Sequence, residues 1–435
     1  MLQAAAAQVD ITPPVGAELC GYSARPTGAV GIHDPLFARA LVLEEGDTRA
    51  ALVTADLIGW DAVLVGEIRR RVQAQGIMPG GNVMLTATHT HAGPMISCLS
   101  RMGTADPEYV ERLAGEVTRL IIEAAGRLSP VRVGWGVGQA VIGINRRQFS
   151  NGKVIIGTNP QGPVDPDVGV LVLRGQDGAP LAMLINHACH GTTMGPENCL
   201  VSADWPGAAV REVAEAVPGA VVMLANGCCG DLNPEPRGEN FALVQVHGET
   251  VARAVLAALG EAKYAEAGLR VHSEPVTIPL QPLPPLEEAE GIYADCLANL
   301  RQAEGGDDLG AKRLARGMYQ WAADLLRHAQ AGTQPDPPSS EVMALGLGEV
   351  ALVGLPGEPF VEYGLDLKRR SPFPCTMVLG YANRLIGYLP TPQAFSEGGY
   401  EVEGAARWYG VAPLVPETQH LISKAALAAL RAVAR

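Results

Sequence analysis

The chain has 435 residues, 47% hydrophobic and 18% charged, with 51 glycines and 33 prolines. That length can bury a core without disulfide or metal staples, and the apolar content excludes disorder as the dominant state. With 33 basic against 46 acidic residues and a net charge of −13, the surface repels phosphate backbones, which argues against general nucleic-acid binding.

No stretch approaches the ~18 consecutive apolar residues of a spanning helix, so no membrane partner is expected. The opening MLQAAAAQVDITPP lacks a basic leader, and Asp10 interrupts it before an apolar leader could form. Eight cysteines in so long a chain, two of them adjacent at Cys228 and Cys229, read as reduced thiols of a cytoplasmic protein.

In chain order, 38–43 and 50–54 are short apolar strands, followed by a helix over 61–75. Residues 82–91 read as a strand running into the polar loop at Gly93-Pro94. Asp106 and Pro107 supply a cap and a first-turn proline for a helix to about 128. Residues 131–146 read as a strand pair, and 168–173 with 181–190 as strand, turn and strand. A helix over 206–217, a strand over 220–225 and a helix over 240–259 come next. A strand over 269–280 leads into 286–330, an Ala/Leu-rich stretch broken at Gly305-Gly306 that predicts a helical hairpin. Strands over 342–353 and 376–379 and a helix over 417–434 complete the chain. The alternation predicts a mixed α/β (α+β) catalytic domain over 1–435, with 286–330 as an insertion within it.

Groups suited to a metal collect in four places. In Thr88-His89-Thr90-His91, residues i and i+2 of a strand share a face, so both imidazoles would project together; a hydrogen-bonded pair beside a turn is the alternative. His187 and His190, three apart on a strand, would point to opposite faces, which leaves at most one as a ligand. Glu358 follows Pro356-Gly357 at a strand end, where a carboxylate suits a hard or borderline cation, although such turns are common. Tyr388 and Tyr400 lie in a Pro/Gly-rich region and could ligate, donate to an oxyanion or simply pack. A site of nitrogen and oxygen donors suits catalytic zinc better than a structural thiolate centre.

These motifs resemble the neutral/alkaline, non-lysosomal ceramidase family, zinc-dependent amidases that cleave the N-acyl bond of ceramide. The resemblance runs from Asp10-Ile11-Thr12-Pro13 to about Gly404. It is carried by NVMLTATHTHAGP at 82–94, Gly143-Ile144-Asn145-Arg146, Cys189-His190-Gly191-Thr192-Thr193-Met194, Leu200 to Asp204, Pro356-Gly357-Glu358 and Gly387-Tyr388-Leu389-Pro390-Thr391. By position it implies zinc (Zn2+) held by His89, His190, Glu358 and Tyr388. His91 would stand beside the metal or face substrate, and Arg146 and Tyr400 would stabilise the oxyanion. Asp204 would orient groups or move protons, or else cap the helix near Pro206.

Two departures bear on the chemistry. A serine that the family carries in a QSN-G-D segment aligns with Gly227, leaving metal-activated water, or Cys228, as nucleophile. The family often ends in an immunoglobulin-like domain, and this chain stops about 30 residues after Gly404. Together these imply a cytoplasmic zinc hydrolase acting on an amide of a soluble small molecule. The same site could serve an ester, lactone or sugar derivative, or survive in a zinc-binding pseudoenzyme. A TIM-barrel amidohydrolase, which also uses HxH, would place that motif on its first strand, whereas here at least two strands precede it.

Overall fold

The computed structural model describes residues 1–434. A nine-stranded sheet has the order Val221–Asn226, Pro180–His187, Asp167–Gly175, Ser129–Gln139, Gln3–Asp10, Phe37–Glu45, Thr48–Ala55, Val83–Ala87, with Lys263–Ala265 added beside Ser129–Gln139. A four-stranded sheet, Leu269–Thr277, Ser339–Leu347, Val350–Gly354 and Cys375–Leu379, packs against its face. Strand alternation divides the side chains between the two faces of the large sheet. In Phe37–Glu45, Leu41 and Leu43 enter the core between the sheets, whereas Ala38, Ala40 and Val42 face the helices.

Those helices form the outer layers. Ala62–Ala74 and Pro107–Ala125 cover one half of the large sheet, and Asp204–Ala216 and Phe241–Glu261 cover the other. Val361–Arg370 and Thr418–Ala434 cover the small sheet. The mixed α/β class expected from the sequence is the class observed. The cap expected at Asp106 is in place, accepting from the amide of Glu108, and Asp61 caps its helix by accepting from the amides of Val63 and Leu64.

Several strands differ from their sequence patterns. The run over 342–353 is two antiparallel strands, because Gly348 at φ +61° turns the chain back. The segments near 131–146 do not pair with each other. Ser129–Gln139 joins the large sheet, while Gly143–Ser150 pairs with Lys153–Asn159 and Leu232–Pro234. The strands near 83 and 181 end at Ala87 and His187, before the functional motifs begin.

Three parallel pairs are joined through helices: Thr48–Ala55 with Val83–Ala87, Pro180–His187 with Val221–Asn226, and Val350–Gly354 with Cys375–Leu379. Parallel strands point their carboxyl ends the same way, and ligands in such sheets bind beyond those ends. The chemistry-bearing loops all leave from these ends. Leu286–Glu304 and Leu309–Ala331 form an antiparallel helix pair, with a left-handed glycine, Gly332, closing the second helix.

Candidate metal centre

His89 and His91 lie beyond their strand, so strand alternation does not bring them together. His89 adopts a left-handed backbone at φ 61°, and that turn sets its Nε2 3.2 Å from His91 Nε2. The loop carrying His190 runs alongside: Thr90 bridges Gly191, and the His91 amide donates to the Gly191 carbonyl at 3.1 Å. A Cβ on Gly191 would fall 2.6 Å from the His89 carbonyl oxygen, so this approach needs glycine. Glu358 and Tyr388 are register partners in a short parallel pairing, which places two of the expected ligand residues side by side.

The tautomers follow from the hydrogen bonds. His89 Nδ1 lies 2.6 Å from the Ile58 carbonyl oxygen, and His190 Nδ1 2.6 Å from that of Cys229. A carbonyl only accepts, so each Nδ1 carries the proton, and in the neutral ring each Nε2 is a lone pair. Burial, reinforced by the Arg146 cation, lowers His190 to about 4. Burial also holds His91 well below the usual histidine range.

The lone pairs of His89 and His190 face Glu358 Oε2 at 3.1 and 3.3 Å. That oxygen is buried and has no hydrogen-bond donor. Acceptors converging without a proton between them form a cation site, and nitrogen and carboxylate donors fit a zinc-like ion. The ligand atoms of His89, His91 and His190 all lie within 4.8 Å of one another, so this buried group could hold a metal ion.

Arg146 lies beside the group. Its Nε donates to Glu401 at 2.8 Å, its Nη1 lies 3.4 Å from His190 Nε2, and its guanidinium stands 5.3 Å from the Tyr388 ring centroid. Its Nη2 is buried and has no acceptor. The Tyr388 and Tyr400 rings meet edge to face at 5.9 Å. Burial pushes Tyr388 well above its ordinary value and Tyr400 to about 12.

The Asp204 carboxylate accepts from the backbone amides of Thr193, Met194 and Trp205. It ties the His190 loop to the first turn of its helix. Cys228 packs in the core with Phe360, Tyr363 and Leu367, 3.4 Å from where a Cβ on Gly364 would stand, so it is no nucleophile candidate. At Gly227 there is no room for a side chain: a Cβ there would lie 2.9 Å from the Ala188 methyl.

Other residues at the site carry no local sequence signal. Tyr381 stacks on His89 at 4.0 Å, Tyr22 packs against His91 at 5.0 Å, and the Tyr409 hydroxyl donates to Glu358 Oε1. Buried Asn233 accepts from Arg146 Nη1 at 3.3 Å. A cavity of about 340 Å³ adjoins Tyr388, Tyr409 and Glu401, with Phe395, Val402 and Leu414 on its walls and Asp336 and Arg384 among its charged lining.

A histidine–carboxylate group at the carboxyl ends of parallel strands, beside a buried arginine, defines an α/β protein whose central group could hold a metal ion. The neutral/alkaline non-lysosomal ceramidase family, in its N-terminal part, matches residues 3–243, and the chain belongs to that family. It is 25% identical to the neutral ceramidase of Mycobacterium tuberculosis, over 88% of this chain and 70% of that protein. It is 30% identical to the neutral ceramidase of Pseudomonas aeruginosa over 50% of this chain, a match that spans 34% of that relative's length. The crystal structure of neutral ceramidase from Pseudomonas aeruginosa superposes with a TM-score of 0.73 at 23% identity, covering 99% of this chain and 74% of that one. This likeness establishes the fold.

Proposed function

We propose that the chain is a zinc-dependent hydrolase that cleaves the N-acyl amide bond of a compact small-molecule substrate. The observation that carries this reading is the convergence of two imidazole lone pairs and the donor-free Glu358 Oε2 beside the unpaired Arg146 Nη2. His89, His190 and Glu358 would hold the metal, with Tyr388 completing the set. Zinc in such a site supplies Lewis-acid polarisation of the carbonyl and activation of water.

The remaining groups divide the rest of the work. Arg146, held by Glu401, would offer its unpaired Nη2 to the developing oxyanion, and Tyr400 would donate its hydroxyl to it. His91, beside the group with its buried Nδ1 unpartnered, would face the substrate and orient it or its proton. Family membership supports the amide preference. The cavity beside Tyr388 and Tyr409, about 340 Å³ with Phe395, Val402 and Leu414 on its walls, would take a short acyl group. All eight cysteines are free thiols, which supports a reducing, cytoplasmic setting. Among the described residues no helix is long and apolar enough to cross a membrane.

The test combines zinc analysis with N-acyl amines of increasing acyl length, alongside esters and lactones. The expected result is turnover of short-chain amides that declines with length, is lost on chelation and returns with zinc. Absence of zinc binding, or full activity after replacing both His89 and His190 by alanine, would overturn the metal reading. Turnover confined to esters or lactones would overturn the amide assignment.

A further inference from the structure

The two oxygens of Glu358 have different neighbours. Oε2 faces His89 and His190, whereas Oε1 accepts the Tyr409 hydroxyl. The terminal torsion of a glutamate is soft and roughly two-fold, so a fixed donor on one oxygen decides where the other points. Tyr409 supplies that donor from the end of the short helix Ala406–Tyr409.

That segment is gripped by the helix Leu309–Ala331. Trp321 Nε1 donates to the Val411 carbonyl at 2.9 Å, and the Arg407 guanidinium lies 4.7 Å from the Trp321 ring centroid. Arg101 donates to the carbonyls of Arg407 and Gly410 at 3.1 and 2.5 Å, while Asp324 of the same helix holds it at 2.7 Å. A Cβ on Gly317 of that helix would fall 2.3 Å from the Arg101 carbonyl and 2.7 Å from the Trp408 ring, so helix and segment meet in close contact.

The geometry points to Tyr409 as a positioning residue for Glu358, held in place by the helical hairpin, so that the hairpin sets how tightly the histidine–glutamate group binds a divalent metal. This rests on the metal reading above. Hydrogen bonds to a ligand's free atom orient it, and losing such a partner typically costs about 10–100-fold in metal affinity. A surface element with no residue in the site thereby acts on the ligand set through Trp321, Val411 and Tyr409.

The experiment measures Zn2+ affinity of the metal-free full chain by chelator competition, with thermal melts of each metal-free variant. Tyr409→Phe, which removes one hydroxyl, should weaken zinc binding by about 10–100-fold while the metal-free melt stays near wild type. Trp321→Phe, far from the ligands, should weaken it in the same direction and less. Arg316→Ala, on the exposed side of the same helix in an ion pair with Glu304, should bind zinc as wild type does. Wild-type affinity in a folded Tyr409→Phe overturns the positioning role. Wild-type affinity in Trp321→Phe overturns the hairpin's part, and that variant decides the matter if Tyr409→Phe fails to fold. Failure of the wild-type chain to bind zinc would instead bring down the metal reading itself.

Discussion

Asn226 clasps Cys189 with both ends of its amide, accepting from the Cys189 N–H at 3.2 Å and donating to its carbonyl at 2.7 Å. The same Nδ2 donates to the Thr88 carbonyl at 3.0 Å, so one fully buried side chain joins the residues preceding His89 and His190. Asn226→Ala would strand these backbone groups without water. It should destabilise the protein by about 2–4 kcal/mol and weaken zinc binding, as read by denaturant melts and chelator competition.

Glu358→Gln tests the tautomers directly. An amide nitrogen in place of Oε2 could donate to the two lone pairs that now face an acceptor. The metal-free variant should therefore melt at or above the metal-free wild type, while the stabilisation added by zinc disappears. A metal-free variant that melts well below wild type would mean that the imidazoles carry the protons.

Restoring a serine at Gly227 should not restore a catalytic group. The new Cβ would press on Ala188, 2.9 Å from its Cβ and 3.1 Å from its Cα. Overpacking of this kind costs about 1–3 kcal/mol. Gly227→Ser should lower the melting temperature and raise no activity on any member of the amide panel.

Asp231, a buried carboxyl that is not one of the proposed ligands, gives a pH signature of its own. Burial, with the Glu362 carboxylate beside it, pushes Asp231 up to about 7 from an ordinary 3.8. Between those values the folded chain holds a proton that the unfolded chain has released, so this contribution to stability is present at low pH and is lost as pH rises towards 7. Asp231→Asn cannot titrate. Its stability relative to wild type should rise across that window, measured by paired melts from pH 4.5 to 8, and a constant difference would remove the assignment.

The sequence shows much of the site because its ligands sit in short motifs next to recognisable strands. Thr88 to His91, His190 and Pro356 to Glu358 stand out for that reason. How they converge was not legible: it depends on the left-handed turn at His89 and on the glycine contact at Gly191, neither of which has a periodic signature. Tyr409, Tyr381 and Tyr22 arrive from distant loops, and isolated tyrosines there look like any packing residue. The large sheet was readable where alternation was clean. The small sheet is harder to read at 342–353, where both strands are buried and apolar and only Gly348 marks the turn.

The segment that delivers Tyr381 also protects an edge. Asn383 exchanges hydrogen bonds with Leu85 on the outermost strand Val83–Ala87, through its amide N–H at 2.7 Å and its side-chain oxygen at 2.9 Å, and Thr86 bonds the Gly380 carbonyl at 2.8 Å. A bare strand edge invites pairing with another chain. Cutting or loosening residues 380–383 would therefore uncover an apolar template for strand addition as well as disturb His89. Damage at the metal centre and a tendency to self-associate would then arise from one event.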